Sequence, residues 1–262
     1  MNKRIQKSFA LLKQQHRMGF MPFLVAGDPD LKTSLKIAKV VARHADFLEI
    51  GFPFSDPIAD GPVIQAANQR ALQVGINPDK VFSFIGKLTN FTAVPITILI
   101  YSNLVLRYGI NKFYDKAKKA GVSGILLPDV PVEEIRPFYE KAKRYGLDQI
   151  LLVASTTTDV RLRKILQYAS GYVYAVSVLG VTGPRKTLSP TALQLVKKIK
   201  LYTNLPVVAG FGISTRQQAN LLRRQGASGY IIGSALIDFI NKHRTKPKFC
   251  DRLTGYLQSL KI

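Results

Sequence analysis

Short apolar runs alternate with longer stretches of helical spacing from near residue 20 to near residue 234. The strand-like runs are 20–25, 47–50, 96–101, 124–127, 150–153, 172–176, 206–209 and 230–232, eight in all. Between them, stretches such as 31–44, 132–145 and 215–225 place apolar residues three and four apart, with Lys and Arg on the other positions. Eight strand-then-helix units in 262 residues predict an α/β fold, a (β/α)8 TIM barrel with extra helices, rather than an open doubly wound sheet. The extra helical sequence lies before the first strand and around residues 62–90. No linker, low-complexity tract or break in composition divides the chain, so residues 1–262 read as a single barrel domain.

Composition narrows the class. A hydrophobic content of 47% can fill a large core. One cysteine, Cys250, rules out an intrachain disulfide framework and a cysteine-based zinc site. The basic N-terminus has no apolar core of a signal peptide, and no apolar run approaches the ~20 residues that span a bilayer. The expectation is a soluble protein of a reducing compartment with no membrane partner.

The chemistry concentrates where the charge pattern breaks. The chain carries 38 Lys+Arg against 16 Asp+Glu, yet residues 46–69 hold four carboxylates and no base. Glu49 falls near the carboxyl end of the second strand, with Asp56 and Asp60 on the loop after it, at the end of a barrel where active sites are built. Between Leu48 and Ile50, Glu49 is poorly solvated, which raises a carboxyl pKa and suits a group that both donates and accepts protons. Its alternative is a structural acid held by the backbone or a core partner. Asp60 precedes Gly61-Pro62 and has a helix N-cap as its alternative, and Asp129 a cap or turn. None of the three histidines falls at a strand end that suits catalysis, and no strand end carries a Schiff-base lysine or a histidine cluster for a metal. Acid–base work therefore falls to carboxylates.

Glycines after the seventh and eighth strands, in 209–214 and 233–235, let backbone N–H groups approach an anion at the start of a helix. Residues 179–184 form a third glycine element. A tight turn alone would account for Gly210 and Gly212, but two such turns at the two expected strand ends indicate a phosphate site.

The segment from Glu49 to Pro62 (EIGFPFSDPIADGP), with Gly27-Asp-Pro29, Tyr101-Ser-Asn103, Asp129 to Glu134, Gly180-Val-Thr-Gly183, Gly210 to Ser214 and Gly233-Ser234, closely resembles the tryptophan synthase alpha subunit family, from about Phe9 to about Ile240. The resemblance implies a (β/α)8 barrel that cleaves indole-3-glycerol phosphate by a retro-aldol reaction into indole and glyceraldehyde 3-phosphate. It implies a beta-subunit partner in an alpha2-beta2 tetramer, with pyridoxal phosphate (PLP) in that partner, no cofactor in this chain, and indole passed on through a tunnel. Residue by residue, Glu49 matches the general acid/base and Asp60 the acceptor of the indole N–H. Phe23, Leu99, Tyr101, Leu126 and Tyr174 match substrate contacts around the indole and glycerol, and Gly183, Phe211, Gly212, Gly233 and Ser234 the phosphate cradle. Thr182 matches a loop residue that bonds Asp60 on closure, and Pro53 and Asp56 the loop that meets the beta subunit. Pro128 and Val178 stand where some relatives carry alanine and arginine.

Two alternatives have sequence tests. A decayed subunit that only activates its partner would have lost Glu49, Asp60 or a cradle glycine, and all are present. Indole-3-glycerol phosphate synthase would need a strand-end lysine. The net charge of +22 is not explained by the resemblance. The bases are spread over nearly every amphipathic helix without a recognition motif, which argues for solvated faces and against nucleic acid. The expected compartment is the cytoplasm, or a plastid stroma.

Overall fold

The computed structural model describes residues 2–176, 189–210 and 212–262. Its elements are α1 Lys3–Gln14, β1 Gly19–Val25, α2 Leu31–Ala42, β2 Leu48–Gly51, α3 Pro62–Gln73, α4 Pro78–Thr89, β3 Ile96–Leu99, α5 Ser102–Tyr108, α6 Ile110–Lys119 and β4 Gly124–Leu126. They continue with α7 Arg136–Tyr145, β5 Asp148–Ala154, α8 Asp159–Tyr168, β6 Val173–Val176, α9 Pro190–Tyr202, β7 Val207–Gly210, α10 Arg216–Arg224, β8 Gly229–Ile232, α11 Ser234–His243 and α12 Phe249–Leu260. The eight strands pair in parallel in chain order, and β8 pairs back onto β1 to close the barrel.

Every expected strand is present, with ends shifted by at most two residues. β3 stops at Leu99 because Tyr101 is already the N-cap of α5. The helical excess before β1 is α1, and that around 62–90 is α3 and α4. Two further excess helices went unread: β3 is followed by both α5 and α6, and β8 by both α11 and α12. Strands covered by helices on one face and barrel interior on the other are buried throughout, as in β1, β2 and β8.

The ends of the barrel differ. At the amino ends of the strands, α1 buries Ile5, Phe9 and Leu12. The Phe9 ring lies 4.4 Å from Phe47, just before β2, and 6.1 Å from Tyr172, just before β6. Arg4 ties α1 down by donating to the carbonyls of Gly121 (3.1 Å) and Ala93 (3.1 Å). The carboxyl ends of the strands surround a cavity instead.

Candidate active site

Glu49 lies in β2 in register with Phe23 of β1 and Thr97 of β3. It is fully buried, and among the described residues neither carboxylate oxygen has a hydrogen-bond partner. Among the described residues nothing holds it in the way a structural acid is held. Burial, and secondarily the charge of Asp60, push its pKa up to about 8.

Asp60 ends the loop after β2. The N-cap of α3 is Gly61, with no side-chain cap bond, so the cap reading of Asp60 fails. Its carboxylate instead accepts from Asn68 Nδ2 (3.2 Å) and interacts with the Tyr101 hydroxyl. Burial pushes the Asp60 pKa up to about 6, while the bonds from Asn68 and Tyr101 pull the other way. Tyr101 also fastens the loop: its hydroxyl accepts from the Ala59 N–H (3.0 Å), and its ring stacks on Phe54 at 4.9 Å. Asp129 caps no helix of its own and sits in a turn, the other reading of its sequence, from which it reaches a neighbouring segment. It accepts from the N–H of Ser102 (3.0 Å) and its hydroxyl (2.7 Å), at the start of α5.

Glu49 and Asp60 both line a largely apolar cavity at the carboxyl ends of the strands, the kind of place where small molecules bind. Of the expected contacts, Phe23, Leu99, Leu126, Tyr174, Gly212, Gly233 and Ser234 also line it. Tyr101 does not; it stands behind Asp60. Thr182, Gly183 and Phe211, like Val178, lie outside the described residues. The wall further includes Ile64 of α3, Pro128, Leu152 of β5, Val176 of β6 and Ile231 of β8, which sequence reasoning did not name as contacts. Strand alternation would have found one of them: Val176 sits two residues beyond Tyr174, on the same face of β6. Asn68 was also missed, although a polar residue among the buried positions Ile64, Ala67 and Ala71 of α3 is a visible signal.

One end of the cavity is glycine. Gly212 has φ +68°, which a residue with a Cβ rarely adopts. A Cβ on Gly210 would lie 2.4 Å from the Tyr174 ring, so the close approach of β7 to that ring requires glycine. Gly233 is the N-cap of α11 without a side-chain bond, and Ser234 opens the helix, directing its first N–H groups and positive dipole end toward an anion. The outer surface of the loop after β2 is a separate groove lined by Phe54, Asp56, Ile58 and Gln69. Asp56 is exposed there, accepting from Ser55 Oγ, whereas Pro53 is buried.

The sequence matches the tryptophan synthase alpha chain family over residues 9–261. The chain belongs to that family. It is 48% identical over 223 residues to the tryptophan synthase alpha chain of Methanothermobacter thermautotrophicus, covering 85% of this chain and 83% of that one. With the alpha chain of Methanoregula boonei it shares 44% identity over 260 residues, 98% of this chain and 97% of the other. Among solved structures it superimposes on Mycobacterium tuberculosis tryptophan synthase with a TM-score of 0.91 at 29% identity, each chain fully covered. A tryptophan synthase complex from Pyrococcus furiosus gives a TM-score of 0.86 at 33% identity, over 93% of this chain and 98% of that one. Family membership makes the chain a carbon–carbon lyase of tryptophan biosynthesis, which cleaves indole-3-glycerol phosphate to indole and glyceraldehyde 3-phosphate. The family match reaches past the resemblance seen in the motifs, into α12.

Proposed function

We propose that Glu49 and Asp60 divide the acid–base work of this cleavage between them. Two carboxyl groups whose environments push their pKa values apart take different roles. With a pKa of about 8, Glu49 is mainly protonated near neutrality and donates its proton to C3 of the indole ring, giving the cationic indolenine tautomer. With a pKa of about 6, Asp60 is mainly ionised and accepts the ring N–H as positive charge grows there. The Glu49 carboxylate, now charged, takes the proton of the hydroxyl on the glycerol carbon attached to C3. That oxygen becomes the aldehyde carbonyl as the carbon–carbon bond breaks, and the bonding electrons return the ring to neutral indole. The glycine cradle at Gly212, Gly233 and Ser234 holds the phosphate, joined by Gly183 and Phe211, and Phe23, Leu99, Leu126 and Tyr174 hold the organic part, with Thr182 bonding Asp60 on closure.

The observation that carries this reading is a fully buried glutamate, with no hydrogen-bond partner among the described residues, facing a cavity beside a second raised carboxyl. A subunit that only activates its partner would have no need to maintain such a group, which costs stability. Glu49→Gln is expected to lower indole formation by at least ~100-fold with the fold intact, the low end of what a positioned acid/base supplies. Retention of most of the activity would sink the assignment.

The same reading takes residues 1–262 as one barrel domain acting in the cytoplasm or a plastid stroma. Its partner is a beta subunit carrying PLP, in an alpha2-beta2 tetramer that receives the indole directly. The groove at Asp56 supports a docking face there, with Pro53 acting from beneath it by shaping the loop. Because this loop leads into Asp60, docking favours its competent arrangement and speeds a slow free chain. Asp56→Ala should weaken that activation and leave the basal rate of the free chain almost unchanged.

A further inference from the structure

We infer that Asn68 is a positioning residue for the cleavage: its side-chain amide sets the orientation of the Asp60 carboxylate and favours its charged form. This rests on the reading of Asp60 given above. Asn68 is 3% exposed and is the one polar side chain among the buried residues of α3, which are otherwise Ile64, Ala67 and Ala71. A polar group so placed is costly unless partnered. Its Nδ2 donates to Asp60 Oδ2 at 3.2 Å, eight residues back along the chain. The preceding turn of the helix holds the backbone of the same residue, through Gln65 Nε2 donating to the Asp60 carbonyl at 2.8 Å. Together α3 grips Asp60 at main chain and side chain. An amide N–H that binds one carboxylate oxygen restricts rotation of the group and leaves the remaining acceptor sites for the cavity that Asp60 lines. Donation to the ionised form also opposes the burial that would neutralise it, and an asparagine keeps its donor at every pH.

Among the described residues, the ionisable groups around Asp60 are Glu49 on β2, Tyr101 after β3 and Tyr174 on β6, with Asp129 behind Tyr101. Both tyrosines are raised above their ordinary values, so among the described residues Glu49 is the neighbour that titrates near neutrality, and Asn68 variants leave it in place.

The test is the pH profile of kcat/KM for indole release, from about pH 5 to about pH 9, by the full-length chain with its beta subunit. Asn68→Leu and Asn68→Asp both approximate the shape of asparagine, so a role in packing alone would leave the profile unmoved. The acid limb, set near about 6 by Asp60, is expected to move up by roughly one pH unit in Asn68→Leu. Asn68→Asp should move it further, because it replaces a donor by a like charge. The alkaline limb should stay. A carbon-13 NMR titration of the Asp60 carboxyl in the substrate-free chain reads the same shift without activity. An acid limb and an NMR titration unchanged in both folded variants would overturn the inference. Asp60→Asn separates the two claims. If it erases the limb while the Asn68 variants do not move it, Asn68 alone loses its role; if it leaves kcat and the limb intact, the reading of Asp60 falls and takes the inference with it.

Discussion

The two ends of the barrel solve opposite problems with the same eight strands. At the amino end, α1 seals the strands with Phe9 against Phe47, and the buried Tyr172 hydroxyl has partners in Thr97 Oγ1 (3.3 Å) and Met21 sulfur (3.5 Å). At the carboxyl end, the equally buried Glu49 has none among the described residues, and glycines leave open space where side chains could have packed. Burial alone thus does not mark an active site. Nor does a missing partner alone, since among the described residues Ser123 Oγ and Gln149 Oε1, near the amino ends of β4 and β5, are buried without one as well. What sets Glu49 apart is that it is an ionisable group, beside a second carboxyl on the wall of the same cavity, so its missing partner bears on a proton.

The comparison can be broken at either end. The largest stability effect is expected at the sealed one: Phe9→Ala should cost about 3–5 kcal/mol in denaturant unfolding, with kcat of the folded fraction unchanged. A matching loss of kcat would mean that the two ends are coupled.

At the open end the sign reverses. The Glu49 pKa is raised from 4.5 to about 8 on folding, so the folded chain binds the proton more tightly and loses stability as pH rises through that window. Glu49→Gln should therefore unfold like the natural chain near about pH 4 and be more stable by roughly a few kcal/mol above about pH 8. Equal stability at both pH values would show that Glu49 is better solvated than its burial indicates.

A smaller effect is expected from Gly210→Ala. The added methyl meets the Tyr174 ring, and overpacking of this kind costs about 1–3 kcal/mol. Displacement of that ring into the cavity should raise KM more than it lowers stability, as steady-state kinetics beside a thermal melt would show. Smallest is Asp129→Ala, which removes the cap of α5 and should cost about 1 kcal/mol with little change in kcat. A large fall in kcat would place Asp129 in the chemistry instead.

The sequence by itself determined the barrel and the chemical type of the site. Strand and helix follow from the spacing of apolar residues, which is local, and the strand order follows once eight such units must close. Glu49 and the glycines after β7 and β8 were legible because strand ends are legible. What only the tertiary structure decided lies in contacts between segments. Asp60 stands beside a helix start in sequence, yet its carboxylate is taken by Asn68 and Tyr101. The N–H of Ser102 is capped by Asp129 from the loop after the next strand. The cavity wall draws on β5, β6 and β8 at positions that look like ordinary core. A hydrogen bond or a packed wall depends on which groups the closed barrel brings within a few ångströms of each other, and that proximity is a property of the folded chain, not of spacing along it.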